Sequence, residues 1–299
     1  MSTSPSSDSD QMLAHFRQAL QSFRTSNAPF RILSSIPKPL NSTTALPPPP
    51  PPKTLYILDS SFNPPTLAHA RIILSALHSS TSESTPHRVL LLLAIQNADK
   101  APKPASFEAR LAMMEIFAQD LLVNLKTTSK SAPETSEVGI DIAVTTLPYF
   151  ADKYPHISPS EAYPFPRTEQ VHLIGYDTLV RLLDTKYYPP SHNLKPIQPF
   201  LEKHRLRVTY RADDEWGDRE AQDRYLRELG EGKREDVGGL REWVTEKRIE
   251  MVEGRKDGEE VVSSTKVRNA VSKGDEEALG KLVTTGVKDW VLREGLYRE

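Results

Sequence analysis

The sequence predicts an α/β protein: a Rossmann-like, doubly wound parallel sheet with helices on both faces and further helices at the C-terminus. Three observations carry this. Continuous apolar runs, Leu55–Leu58 and Val89–Ile95, read as strands buried on both faces rather than as half-exposed ones. Segments with apolar residues at helical spacing separate them, as parallel crossovers require. Unusual polar segments stand directly after three of the strands, where ligands of such sheets bind.

Along the chain, residues 1–9 are rich in Ser and Asp and are expected to be disordered. From Asp10, a candidate N-cap, Met12, Leu13, Phe16, Leu20 and Phe23 share one helical face, predicting a helix over 10–26 that packs on the domain. A Pro-rich linker over 37–53 contains six consecutive prolines, Pro47–Pro52. Such a run favours polyproline II; it reads as a spacer and as a candidate ligand for a polyproline-reading protein partner. The compact domain is expected over 54–299. It opens with strand Leu55–Leu58 and helix Leu67–Leu77, then strand Val89–Ile95 and a helix over 106–125 begun by Ser106. Val138–Leu147 alternates as a half-exposed strand would, Val171–Ile174 and Leu206–Tyr210 are further strands, and Val261–Val262 ends the last one. Residues 213–260 are dense in charges of both signs and read as an insertion, partly helical around Leu240–Val244.

Composition narrows the function. The 299 residues are 37% hydrophobic and carry a net charge of −2, so no global basic field recruits nucleic acid or anionic lipid. The longest apolar run has the seven residues Val89–Ile95, too short to span a bilayer. There is no cysteine, which excludes disulfides, thiolate catalysis and cysteine-ligated metals. The N-terminal residues lack the features of a secretory signal, so a cytoplasmic and also nuclear residence is expected.

After the first strand comes Asp59-Ser-Ser-Phe-Asn-Pro-Pro-Thr-Leu-Ala-His69. Thr66 suits the N-cap of the next helix, placing His69 in its first turn on the same face. A hydroxyl and an imidazole beside helical N–H groups suit phosphate oxygens. Taken alone, the pair is more often a cap and a surface residue. After strand Val171–Ile174 comes Gly175-Tyr-Asp177, where Asp177 is a helix cap or an acceptor in the crevice. After the last strand comes Ser263-Ser-Thr-Lys-Val-Arg268; with Ser264 as N-cap, Arg268 lies one turn on, able to reach phosphate with its planar fork. Two anion-ready helix starts in one sheet could grip a triphosphate from both sides. His78, His87, His156, His172, His192 and His204 show no metal-ligand spacing and read as surface or structural residues.

Ser61-Phe-Asn-Pro-Pro-Thr-Leu-Ala-His69 resembles the first signature of the nucleotidylyltransferase superfamily, and Ser263-Ser-Thr-Lys-Val-Arg268 its second. Gly175-Tyr-Asp177, Asn97-Ala-Asp-Lys100 with the loop through Lys103, Phe107–Met113 and Arg211 resemble the branch acting on nicotinamide and nicotinate mononucleotide, most of all its fungal nicotinamide-nucleotide adenylyltransferase-like proteins. The resemblance implies transfer of an adenylyl group from ATP to nicotinamide mononucleotide, with Mg²⁺ arriving with ATP and no protein metal site. It implies His69, Thr66 and Arg268 as catalytic residues. Ser61, Phe62, Asn63, Ser263, Ser264, Thr265, Lys100 and Lys103 join them around ATP. Gly175, Asp177 and Arg211 are implied at the nucleotide. The Trp on which many relatives stack the nicotinamide ring has no match, and Tyr188, with Tyr187 second, is the expected replacement. Ser60 and Ala68 stand where the family has glycines, so an added hydroxymethyl and methyl are expected to crowd the nucleotide. The alternatives are a cytidylyl- or pantetheine-phosphate adenylyltransferase-like enzyme, and a weakly ATP-hydrolysing or non-catalytic adaptor.

Overall fold

A computed structural model describes residues 5–37, 51–79, 86–96, 104–128, 138–157, 162–164, 166–211, 216–254 and 259–298. Seven strands form one sheet in the order β1-β4-β3-β2-β5-β6-β7. They are β1 (Phe30–Ile36), β2 (Thr54–Asp59), β3 (His87–Ala94), β4 (Gly139–Thr145), β5 (Glu169–Gly175), β6 (Arg205–Thr209) and β7 (Ile249–Val252). β2 to β7 are parallel to their neighbours, and β1 is antiparallel to β4. From β2 the chain winds outward through β3 and β4, then returns to the other side of β2 for β5, β6 and β7. The switch point lies between β2 and β5, and the crevice for ligands opens at their carboxyl ends.

Alternation along β2 divides the core. Tyr56 and Leu58 join the large cluster under α1 (Pro5–Thr25), α2 (Leu67–His78), α3 (Phe107–Thr128) and the C-terminal helices. These last are α9 (Ser264–Ser272), α10 (Glu276–Gly280) and α11 (Thr285–Arg293). Leu55 and Ile57 face the opposite side, with Leu90, Leu92 and Ile157 of α4 (Phe150–Ile157). A third cluster holds β5 and β6 to α5 (Tyr176–Leu182), α6 (Gln198–Leu201), α7 (Arg219–Gly230) and α8 (Glu242–Thr245). Among the described residues no helix is long and apolar enough to cross a membrane.

Several expectations are corrected. Helix α1 starts at Pro5, so Asp10 is inside it rather than its cap, and residues 5–9 are helical. The sheet begins with β1, upstream of the proline run, not at residue 54. FRILSSI lacks a clean alternation, and only its partner β4 makes it a strand. β4 is buried along its whole length instead of half-exposed, because Ile140, Ile142 and Val144 join the large cluster on one face and Ala143 packs with Ile157 and Tyr163 on the other. The final strand is β7, within the charged stretch, whereas Val261 and Val262 lie in coil leading to α9. The proline run from Pro47 to Pro50 lies outside the described residues.

Candidate active site

The loop leaving β2 turns through Phe62, which is fully buried with φ at +44°, a left-handed backbone conformation that costs energy for a bulky residue. Its ring lies 5.3 Å from the imidazole of His69. Thr66 caps α2 and is buried. Its backbone N–H donates to His69 Nδ1 at 2.9 Å, and its hydroxyl lies at the same distance from that nitrogen. Nδ1 is thereby an acceptor, which leaves the proton of the neutral ring on Nε2. Nε2 in turn contacts Ser60 Oγ at 3.0 Å, as donor to the hydroxyl. In this structure Thr66 orients His69, whereas the sequence analysis expects its hydroxyl at phosphate oxygens. Leu67 N–H is also spoken for, by Leu282 O at 2.9 Å, so the start of α2 presents an imidazole more than a row of amides.

Ser263, not Ser264, caps α9, its side chain accepting from Lys266 N–H at 3.2 Å. That frees Ser264 to donate its hydroxyl to Pro64 O at 2.9 Å. Arg268 donates to Asn63 O at 2.9 Å and to Thr265 Oγ1 at 3.0 Å. The two signature segments, about 200 positions apart in sequence, are thus tied directly to each other. Asn63 is buried, and its Oδ1 accepts from the Tyr297 hydroxyl at 2.9 Å, which makes its side chain a brace for the loop rather than a ligand group. Ser61 and Thr265 are exposed at the mouth. Arg110 was not singled out by the sequence analysis, although it lies inside the Phe107–Met113 segment. It is buried, donates to Ala105 O at 3.0 Å and reaches Ser61 O. Burial, then Arg268 nearby, lowers its pKa from an ordinary 12.5. Two guanidinium groups and one neutral N–H donor thus converge on the loop over 60–63.

Across the crevice, Gly175 caps α5 with Asp177 in its first turn. Arg211 Nε is 3.0 Å from Asp177 Oδ1. A Cβ at position 175 would stand 2.5 Å from that same oxygen, which is why glycine fits here. The backbone of Arg211 is held by Gln222 on α7: its N–H donates to Oε1 at 3.0 Å and its carbonyl accepts from Nε2 at 2.7 Å. Through Gln222, the charged stretch that the sequence reads as an insertion buttresses the site. An open cleft runs between Ala68 and Ile72 of α2, Gly175 and Arg211, and Val262 before α9.

Tyr188 is not at the crevice. It is buried in the cluster beneath α5, and its hydroxyl donates to Leu182 O at 2.6 Å. Tyr187 packs against the same cluster. Among the described residues, the large aromatic ring that stands exposed is Tyr149, 46% exposed, between β4 and α4. One turn on, Lys153 is buried and pairs with Asp59 at the end of β2, Nζ to Oδ2 being 2.6 Å. Lys100 and Lys103 lie outside the described residues. Among the described residues no three His, Cys, Asp or Glu side chains converge to hold a metal ion.

Burial pushes His69 from 6.5 down to about 4, and His204 likewise. His172 is also buried and lowered, its Nε2 2.9 Å from Gln170 Oε1. A folded-state pKa below the unfolded one means the unfolded chain takes up protons first on acidification. The stability from these neutral imidazoles is therefore complete above about pH 6.5 and is lost as the pH falls toward 4. For His204, which is 2% exposed, the loss by pH 5 is about 2 kcal/mol. Denaturant midpoints at pH 7.5, 6 and 5 check this: the midpoint should fall across the series, and a flat profile would contradict buried neutral histidines.

A doubly wound sheet with a donor imidazole and two arginines at its switch point defines a class: α/β proteins whose candidate site lies at the strand ends, where ligands of such sheets bind. No family profile matches the chain. A Schizosaccharomyces pombe protein described as "Putative nicotinamide mononucleotide adenylyltransferase" is 34% identical over 232 residues, which is 77% of this chain and 81% of that protein. The chain belongs to the nicotinamide mononucleotide adenylyltransferase family. Structures of Plasmodium falciparum nicotinic acid mononucleotide adenylyltransferase with NaAD and with APC each cover 82% of this chain at 13% identity, with 97% of their own chains covered and TM-scores of 0.45 and 0.48.

Proposed function

We propose that the protein transfers the adenylyl group of ATP to nicotinamide mononucleotide, giving NAD and pyrophosphate. The observation that carries this is the direct joining of the two signature segments, Ser264 to Pro64 and Arg268 to Asn63, beside the Nε2–H of His69. ATP enters as its magnesium complex. In this reading its adenosine lies along the cleft beside Ile72 and Val262, and Asp177, in the first turn of α5, accepts from ribose hydroxyls. The triphosphate runs toward α9, where Arg268 and the free amides of the first turn meet it.

The reaction forms one P–O bond and breaks another. A phosphate oxygen of the mononucleotide attacks the α-phosphorus in line, and the bridging oxygen leaves with pyrophosphate. The nucleophile is already an anion, so no general base is required. Catalysis reduces to alignment and stabilisation of charge on the α-phosphoryl oxygens. His69 supplies a neutral N–H donor for that charge, aimed by Thr66 and braced by Phe62. Tyr149, rather than Tyr188, is the ring available to stack on the pyridinium. Incubating the protein with ATP and nicotinamide mononucleotide and following NAD and pyrophosphate tests the proposal. Phosphate release without NAD would support the ATP-hydrolysing alternative instead.

Ser60 stands where the family has glycine, and its hydroxyl occupies the hydrogen of His69 that the phosphate needs. Ser60→Gly should therefore raise kcat/KM for ATP, by about 3–10-fold, since one neutral hydrogen bond is worth about 1 kcal/mol. Steady-state kinetics at saturating mononucleotide measures it. An unchanged or lower value would mean that the hydroxyl does not compete with substrate.

A further inference from the structure

We infer that Asp59 sets the choice of acceptor, selecting a nicotinamide over a nicotinate ring; this rests on the adenylyl-transfer reading above. Asp59 ends β2, the strand at the switch point. Along β2 it shares a face with Leu55 and Ile57, opposite the face on which α2 packs. The triphosphate side of the crevice is defined by His69 and α9, both on the α2 side. In-line displacement brings the acceptor from the side opposite the leaving pyrophosphate, which is the side of Asp59 and α4.

The local chemistry there is specific. Lys153 lies under the carboxylate with its side chain 9% exposed, whereas Asp59 is 22% exposed. The member of the pair that meets a ligand is therefore the anion. One oxygen, Oδ2, is held by Lys153, and among the described residues no hydrogen bond engages Oδ1. Tyr149 immediately precedes α4, whose first turn carries Lys153, so the exposed ring and the ion pair stand at the same end of that helix. A pyridine ring stacked on Tyr149 would carry its 3-substituent near this carboxylate. A carboxamide offers two N–H donors to Oδ1. A carboxylate offers none and adds a second negative charge, so it is rejected both by a missing bond and by repulsion.

The test is the ratio of kcat/KM for nicotinamide mononucleotide to that for nicotinate mononucleotide, measured with wild type, Asp59→Asn, and the charge-free pair Asp59→Asn with Lys153→Gln. A ratio does not depend on the fraction of folded enzyme, so a structural role alone leaves it unmoved. Wild type should favour the nicotinamide substrate by about tenfold or more. Asp59→Asn should lower the ratio at least about tenfold, because the Lys153 charge is then free to attract the nicotinate carboxylate. The double variant should fall between them and guards against poor folding of the single one. A ratio unchanged within about twofold in the variants, or a wild type that prefers nicotinate, would overturn the role of Asp59 while leaving adenylyl transfer intact. A wild type that makes neither dinucleotide would overturn the proposed reaction, and this inference with it.

Discussion

His69→Ala is expected to lower kcat for dinucleotide formation by about 10²–10³-fold, the usual effect of removing one donor to a charge that grows in the transition state. The Kd for ATP should move much less, because a neutral N–H bonds the ground-state oxygen only modestly. The ring is also partly exposed and bonded on both nitrogens to groups of its own loop, so its loss leaves no large cavity. His69→Gln offers an N–H donor of similar reach without the aim that Thr66 gives Nδ1, and should recover part of the rate. The neutral state adds a second signature: with its pKa near 4, His69 keeps the same protonation from pH 5.5 upward. The wild-type kcat profile should therefore show no inflection near 6.5 from this residue. Measuring kcat, ATP binding and Tm on one preparation separates the alternatives. A folded His69→Ala protein with full activity would remove His69 from the mechanism, and a collapse of Tm with normal kcat would make it structural.

The second large effect is on stability, far from the crevice. Asp141 on β4 is 2% exposed and accepts from Arg88 Nε at 2.8 Å, Arg88 Nη2 at 2.6 Å, Ser35 Oγ at 2.6 Å and the Tyr163 hydroxyl. Burial, then the Asp141 carboxylate, raises the Tyr163 pKa well above 10.0, so that hydroxyl stays protonated and donates. One carboxylate thereby ties β1, β3 and the segment at Tyr163 to the middle of β4. Asp141→Ala strips the acceptor from four donor groups of three residues and strands Arg88 over the Cα of Gly139. The expected loss is about 3–5 kcal/mol, the range for removing one partner of a buried pair. At roughly 2–4 °C per kcal/mol, Tm should fall by roughly 10 °C. Arg88→Met should cost a similar amount, since it leaves a buried carboxylate held only by the neutral Ser35 and Tyr163 hydroxyls. If urea unfolding shows Asp141→Ala within about 1 kcal/mol of wild type, the network does not hold the edge of the sheet.

The residues legible from sequence share a physical property: their roles depend on neighbours close in the chain. A strand end, a cap and the first helical turn lie within a dozen residues, so Thr66, His69, Gly175, Asp177 and Arg268 could be placed on their elements directly. The signatures also announced each other, because two phosphate-type helix starts in one parallel sheet must open at the same edge. Even there the local reading erred by one residue at Ser263 and Ser264, since either serine can cap until Pro64 O claims one hydroxyl.

Features set by packing across the sheet were beyond that reach. Tyr188 carries the same side chain whether it lines a crevice or a core. Its burial follows from the cluster under α5, and the open ring at Tyr149 follows from where β4 ends. Lys153 in an amphipathic helix reads as a surface lysine until β2 brings Asp59 to within 2.6 Å. Arg110 and Gln222 are likewise ordinary helical residues until the loops they hold come into place. β1 is the plainest case: a segment with two serines and an arginine among its apolar residues has little strand character alone, and becomes one when β4 offers a hydrogen-bonding edge and Asp141 takes the Ser35 hydroxyl. Thus local chain chemistry determined the chemistry of the site and the class of the fold. Tertiary structure decided which polar groups are spent on each other and which remain to meet a ligand, because that allocation depends on partners far apart in sequence.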